Sequence, residues 1–181
     1  MKGLYDFVKK LVHAFTKEKL DYAFTGALAA SFYGVPRTTA DVDILVAVSA
    51  EETKIKLASA LRLAGLQVEE KRIDDAMTSG YKIATFKSKS SPYKLDVILS
   101  ERIQKLKGSI ADVDTFFQIP EDLISAKLRM IKATVEHERV AKDEDDIKAI
   151  LNFTKLSTNA IEKQAKTDGT LEIWKNLLKH E

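Results

Sequence analysis

Residues 38–48, TTADVDILVAV, read as a buried β-strand that begins with two carboxylates and then turns wholly apolar through Ile44, Leu45, Val46, Ala47 and Val48. Side chains at i and i+2 share one face of a strand, so Asp41 and Asp43 project together while Val42 and Ile44 take the core face. Two neighbouring carboxylates repel, which is costly unless a cation lies between them. Magnesium suits such a place: it takes hard oxygen ligands from one or two carboxylates and completes its shell with water and substrate phosphates. Aspartate is also common at strand starts, so the pair alone is equally well explained as a solvated strand end. Asp96 in KLDVILS shifts the balance, because it lies mid-strand between Leu95 and Val97, where no turn or cap accounts for it. Three acidic residues on two strands suffice to hold two metals, the arrangement used for in-line phosphoryl transfer.

The rest of the chain shows what carries that strand. Residues 2–19 place Leu4, Phe7, Val8, Leu11, Val12 and Phe15 at helical spacing, and DYAFTGA follows as a short strand. ALAASFYG is helical up to Gly34, with Pro36 soon after to stop it. Ser49 with Glu52 forms a capping box opening a helix to about Gly65. LQVEEKR, YKIATFKSK and YKLDVILS read as strands, the last two joined through Ser90, Ser91 and Pro92 as an antiparallel hairpin. A short helix over 100–107 and a strand in DTFFQI close this half. From Pro120 the period becomes helical and stays so, with Pro120 at N1, Glu121 and Asp122 at the positive end, and further helices near 143–153, 158–166 and 171–180. The expectation is an α/β (α+β) fold: a mixed sheet flanked by helices over residues 1–117, then a helical half over 118–181.

Composition excludes several classes. With 181 residues, 45% hydrophobic and 31% charged, the chain can bury a full core, and disordered or fibrous classes drop out. It has no cysteine, which removes disulfide scaffolds and thiolate metal sites. Charges interrupt the start MKGLYDFVKKLVHAF, and no apolar run approaches membrane-spanning length. A cytoplasmic location without a membrane partner is expected. The net charge of +2 permits a nucleic-acid partner without arguing for one. The histidines, His13, His137 and His180, are isolated in sequence and suggest no metal set or triad.

Two further stretches bear on chemistry. FTGALAASFYG is a strand running into a glycine at a helix start, where backbone N–H groups favour phosphate; Gly26 alone equally suits an ordinary strand-to-helix turn. In PEDLISAKLRMIKATV, Ile124, Leu128, Ile131 and Val135 form an apolar stripe, and Lys127 falls within its width. That lysine either snorkels to water or reaches an anion. Asp143 and Asp146 share a helix face, as acidic residues of a first helical turn commonly do.

The run FTGALAASFYGVPRTTADVDI, with Asp96 downstream, resembles the nucleotidyltransferase superfamily of the DNA polymerase β type, whose signature is a hydrophobic strand, Gly-Gly or Gly-Ser, a helix and Asp-x-Asp. PRTT before the aspartates, with EDLISAKLRMI and ERVAKDEDDIKAIL later, is similar to AbiEii-like nucleotidyltransferases of abortive-infection and toxin-antitoxin systems. The likeness spans about residues 20–152. It implies a Mg2+-dependent (or Mn2+-dependent) enzyme that binds a nucleoside triphosphate such as ATP, transfers a nucleotidyl group to a hydroxyl and releases pyrophosphate. Asp41, Asp43 and Asp96 would be its catalytic metal ligands, with Asp96 assisting deprotonation of the attacking hydroxyl. Gly26 and Ala27 would let the backbone approach the triphosphate, and Arg37, Thr39 and Lys127 would contact phosphate or ribose. Lys142, Asp143 and Asp146 match a recurring family motif with a structural or substrate-positioning role. The acceptor could be RNA (a tRNA end included), a protein side chain or a small molecule, and an antitoxin protein is a further implied partner. Ala27 stands where the family has Gly or Ser, so a hydroxyl contact to phosphate is missing. That departure keeps a second class open, a nucleotide- or protein-binding module without turnover, and a third is a two-metal phosphodiesterase.

Overall fold

The computed structural model describes residues 2–35, 37–48, 51–80 and 82–179. The chain divides into two compact units, Met1–Leu28 with Thr38–Gln118, and Ala29–Arg37 with Ile119–Glu181.

The first unit is built on a six-stranded mixed sheet. Its strands are β1 (Tyr22–Thr25), β2 (Asp41–Ala47), β3 (Ile83–Lys87), β4 (Lys94–Ser100), β5 (Lys105–Ile110) and β6 (Val113–Gln118), in the order β3-β4-β2-β1-β6-β5. β2 runs parallel to β4 and antiparallel to β1; β1 runs parallel to β6. Helices α1 (Lys2–Lys17), α3 (Glu51–Leu63) and α4 (Glu70–Thr78) belong to this unit, and α2 (Gly26–Phe32) carries the chain out of β1. Val42, Ile44 and Val46 of β2, Leu95, Val97 and Leu99 of β4, and Ala84 and Phe86 of β3 are buried on one face. Phe7, Val8, Leu11, Val12 and Phe15 of α1 are buried, as their helical spacing predicts, and α1 packs with α3. The alternating residues of β2, β3 and β4 lie on the opposite, partly exposed face.

The second unit contains α5 (Pro120–Ala133), α6 (His137–Phe153), α7 (Thr158–Asp168) and α8 (Leu171–Lys179). Pro120 opens α5, where its missing N–H costs no helical hydrogen bond. Ser157 caps α7 by accepting the Ala160 N–H, and Gly169 closes it at φ 65°, a left-handed conformation that glycine adopts without steric cost. α5 packs against α6, α7 and α8, burying Ile124, Leu128, Ile147, Ile161 and Trp174. No helix among the described residues is long and apolar enough to cross a membrane.

Four local expectations are corrected. LQVEEKR is not a strand: beyond the single bridge of Leu66 to Ser88, the charged run enters α4, which buries Ile73 and Ala76 three apart on one helical face. Residues 105–107, expected as the end of a short helix over 100–107, instead open β5, held by six register pairs to β6 through a two-residue turn at Ala111 and Asp112, both at positive φ. Such a turn is usually signalled by Asn or Gly, so the sequence conceals this hairpin. The stripe of α5 stops at Ile131; Val135 lies past the helix end and is 93% exposed. Finally, α6 begins at His137, so Asp143 and Asp146 lie well inside it and do not serve its first turn. The capping box at Ser49, the stop at Pro36 and the position of His180 fall outside the described residues.

Candidate active site

The carboxylates are placed by strand register. Asp43 is the direct partner of Asp96 across the parallel pair β2 and β4, and Asp41 precedes Asp43 by two residues on the same face. That rung continues across the sheet. Thr25 of β1 stands opposite Asp43, and Thr85 of β3 opposite Asp96. On the far side Gln118 accepts the Thr25 hydroxyl at 2.5 Å and is in register with Lys105 of β5. One residue from each of the six strands therefore forms a polar row: Lys105, Gln118, Thr25, Asp43, Asp96 and Thr85. The next rung inward is apolar, with Ile83, Ile98, Leu45 and Ala23 in register.

Hydrogen bonds orient two members of this array. The Thr85 hydroxyl donates to Asp96 Oδ1 at 2.5 Å, fixing the direction of that carboxylate. The Thr39 hydroxyl donates to the Asp41 carbonyl at 2.6 Å and accepts the Asp41 N–H at 3.2 Å, which makes Thr39 a local brace for the strand start. Gly26 follows β1 at φ +58°, and a Cβ there would collide with the Asp43 carboxylate. Glycine is thus required twice at this position, once for its backbone angle and once because the Asp43 side chain lies against it. Thr85 could have been found by counting the hairpin register outward from the turn at Ser90 to Pro92. Thr25 and Gln118 carried no comparable signal, because their rung depends on a pairing between strands more than ninety residues apart.

Hard oxygen donors set as opposed like charges suit a divalent cation. Among the described residues, however, no three acidic or histidine side chains are gathered closely enough to hold one. The donor chemistry fits a metal, with Asp43 and Asp96 on one rung and Asp41 beside them.

Of the remaining expected residues, Arg37, Lys127, Lys142, Asp143 and Asp146 lie in the second unit. Lys127, buried on α5, donates to Asp143 Oδ1 at 2.8 Å and to Asp146 Oδ2 at 2.5 Å. The Arg37 guanidinium pairs with the same Asp146 oxygen. Two cations and two carboxylates thus satisfy one another inside this unit. Lys142 is not part of that cluster; it pairs along α6 with Glu138 at 2.7 Å and sits on the exposed surface. Ala27 follows Gly26 in the seven-residue α2. Burial and the Glu121 charge raise the Tyr33 phenol above its ordinary value. Burial also raises the Asp122 carboxyl, outweighing the Arg129 charge that lowers it.

Several solved structures share this overall fold. The fold is that of the nucleotidyltransferases. The solution structure of the antibiotic-resistance factor ANT(2″)-Ia is 14% identical, covers 99% of both chains and superposes with a TM-score of 0.67. The crystal structure of ANT(2″)-Ia with adenylyl-2″-tobramycin, also 14% identical, covers 93% of this chain and 98% of its own at 0.68. An antigenic nucleotidyltransferase-like protein from Paracoccidioides brasiliensis is 15% identical over 96% of this chain and 92% of its own, at 0.61. No protein-family profile and no curated protein matches the sequence.

Proposed function

We propose that the chain is a metal-dependent nucleotidyltransferase whose chemistry is centred on Asp41, Asp43 and Asp96. The observation that carries this is the register pair of Asp43 and Asp96, opposed like charges beside a glycine where a Cβ would displace the Asp43 side chain, on a nucleotidyltransferase fold. A divalent cation, magnesium or manganese, would be held on the rung of Asp43 and Asp96, with Asp41 beside it, and would supply charge stabilisation at the transferring phosphoryl group. The solved neighbour holding an adenylylated acceptor supports a nucleoside triphosphate as donor.

The chain's own residues then have defined tasks. Asp96, directed by Thr85, takes the proton of the acceptor hydroxyl. The acceptor oxygen forms a bond to the α-phosphorus while the bond to the bridging oxygen breaks, and pyrophosphate leaves. Gly26 keeps the backbone low beside Asp43, so that the triphosphate can approach the carboxylates. Thr39 holds the strand entry, and with it the direction of Asp41. Arg37, Lys127, Asp143 and Asp146 act within their own unit as a charge-balanced framework.

The test incubates the chain with each labelled nucleoside triphosphate, magnesium or manganese, and total RNA, beside Asp43→Asn. Label transferred by the wild type, with a loss of about 10³-fold or more in the variant, is the expected result. Turnover retained in the variant would sink the assignment. Metal-dependent nucleotide binding without transfer to any acceptor class would favour a binding module, the alternative that Ala27 suggests.

A further inference from the structure

The row beside the Asp43–Asp96 rung sets two like charges directly opposite each other, with one carboxylate, Asp41, on the far side of Lys94. Lys87 of β3 and Lys94 of β4 stand directly opposite each other, and Asp41 of β2 is next in the same row. All three share the face of Asp43 and Asp96, because Phe86, Leu95 and Val42 are buried on the other. Like charges placed directly opposite one another destabilise a strand pair. Among the described residues neither ammonium group has an ion-pair or side-chain hydrogen-bond partner. By contrast Lys105 and Lys107, toward the other edge of the sheet, are paired with Asp21 and Asp114 at 2.5 and 2.8 Å. A lysine on an edge strand guards against edge-to-edge pairing, which accounts for Lys87. β4 is an interior strand, with β3 on one side and β2 on the other, so Lys94 has no such task.

We propose that Lys87 and Lys94 form an anion subsite for the acceptor, and that the acceptor carries phosphate. The inference rests on the nucleotidyl-transfer reading of the neighbouring carboxylates. Gly26 marks the β1 side of Asp43, where the donor triphosphate approaches. The lysines lie on the β3 side, with Lys87 two strand spacings, about 10 Å, from Asp41. Lys94 is one strand spacing from Asp41, so what separates the anion they bind from the donor's phosphates is the side of Asp43 on which each lies. Two adjacent ammonium groups, each a compact charge with three donors, match one phosphate between them or two consecutive phosphates of a strand. A polyamine acceptor would be repelled at this place.

The experiment titrates the wild type and Lys87→Ala/Lys94→Ala, in magnesium, with a labelled single-stranded oligoribonucleotide, with ribose 5-phosphate and with ATP. Both lysines are exposed, so the double variant should keep the wild-type circular dichroism and a Tm no lower than the wild type's, and Lys87→Arg/Lys94→Arg should retain binding. We expect affinity for an acceptor probe to fall about tenfold or more while ATP affinity holds. For the oligonucleotide, the slope of log affinity against log salt should flatten by about 1.4, or about 0.7 for each of two phosphates. Loss for the oligonucleotide alone identifies a strand as acceptor, and loss for ribose 5-phosphate as well identifies a terminal phosphate. A fall in ATP affinity, unchanged affinity for all three probes, or no binding of either acceptor probe to the wild type would each overturn the proposal. The transfer reading stands or falls separately, on Asp43→Asn, which none of these binding measurements uses.

Discussion

In the helical unit, Lys127 and Arg37 meet Asp143 and Asp146, cation against carboxylate, with Lys127 and Asp146 buried. On the sheet face of the other unit, Asp43 faces Asp96, Asp41 adjoins them, and Lys87 faces Lys94, like against like, all half-exposed or exposed. The same residue types serve different ends in the two places. Buried charges are tolerated only when paired and hydrogen-bonded, so the first cluster is a condition of folding. The second group is tolerated because water screens it, and its lysines remain available to something that is not protein.

The sharpest way to break this contrast is to remove one charge from each group. Lys127→Ala would leave Asp146 buried with one cation in place of two and Asp143 with none, and should cost about 3–5 kcal/mol of stability. Asp96→Asn should cost less than about 0.5 kcal/mol, because Oδ1 can still accept from Thr85 and one of two opposed charges is gone. Urea unfolding followed by circular dichroism measures both. Equal losses at the two sites would remove the distinction between a structural cluster and a site left open for ligand.

That distinction was only half legible beforehand. Asp41, Asp43 and Asp96 announced themselves because a charge inside an apolar, period-two run is a local anomaly that one strand displays by itself. The pairing of Lys127 with Asp143 and Asp146 depends on α5 meeting α6, and on α6 starting six residues earlier than its apolar pattern indicated. The sheet half followed from alternation and turn residues, apart from β5 and α4. There the deciding partners, β6 across an Ala-Asp turn and the core contacts of Ile73 and Ala76, are tertiary and override weak local preference. The opposed lysines of β3 and β4 were visible as residues, but their opposition exists only once the hairpin register is fixed.

A smaller effect sharpens the sheet side. Gly26→Ala forces a left-handed φ on a residue with a Cβ and drives that carbon into the Asp43 carboxylate, so a loss of about 1–3 kcal/mol is expected, together with lost transfer. The two causes separate in a double-mutant cycle. If the carboxylate is the obstacle, Asp43→Ala should recover part of the Gly26→Ala loss, and the two changes should be non-additive. Strict additivity would leave backbone strain as the whole cause and remove the steric link between glycine and site.

The smallest effect concerns a carboxylate of the helical unit that burial, rather than a partner, dominates. Asp122 near the start of α5 has its pKa raised chiefly by desolvation, which wins over the Arg129 charge and is aided by Glu121. A carboxyl whose folded pKa lies above its unfolded value keeps its proton longer when folded. The folded state therefore binds more protons between the two values, and stability falls as pH rises through that window, from the ordinary aspartate range near about 4 upward. Because Asp122 is partly exposed, the penalty at neutral pH should stay below about 1 kcal/mol. Asp122→Asn should be slightly more stable than the wild type at neutral pH and lose that advantage as pH drops below the usual aspartate range. The opposite slope would mean that Arg129 and the positive end of α5 outweigh burial at this position. Asp122 would then belong with Asp143 and Asp146, carboxylates held by charge.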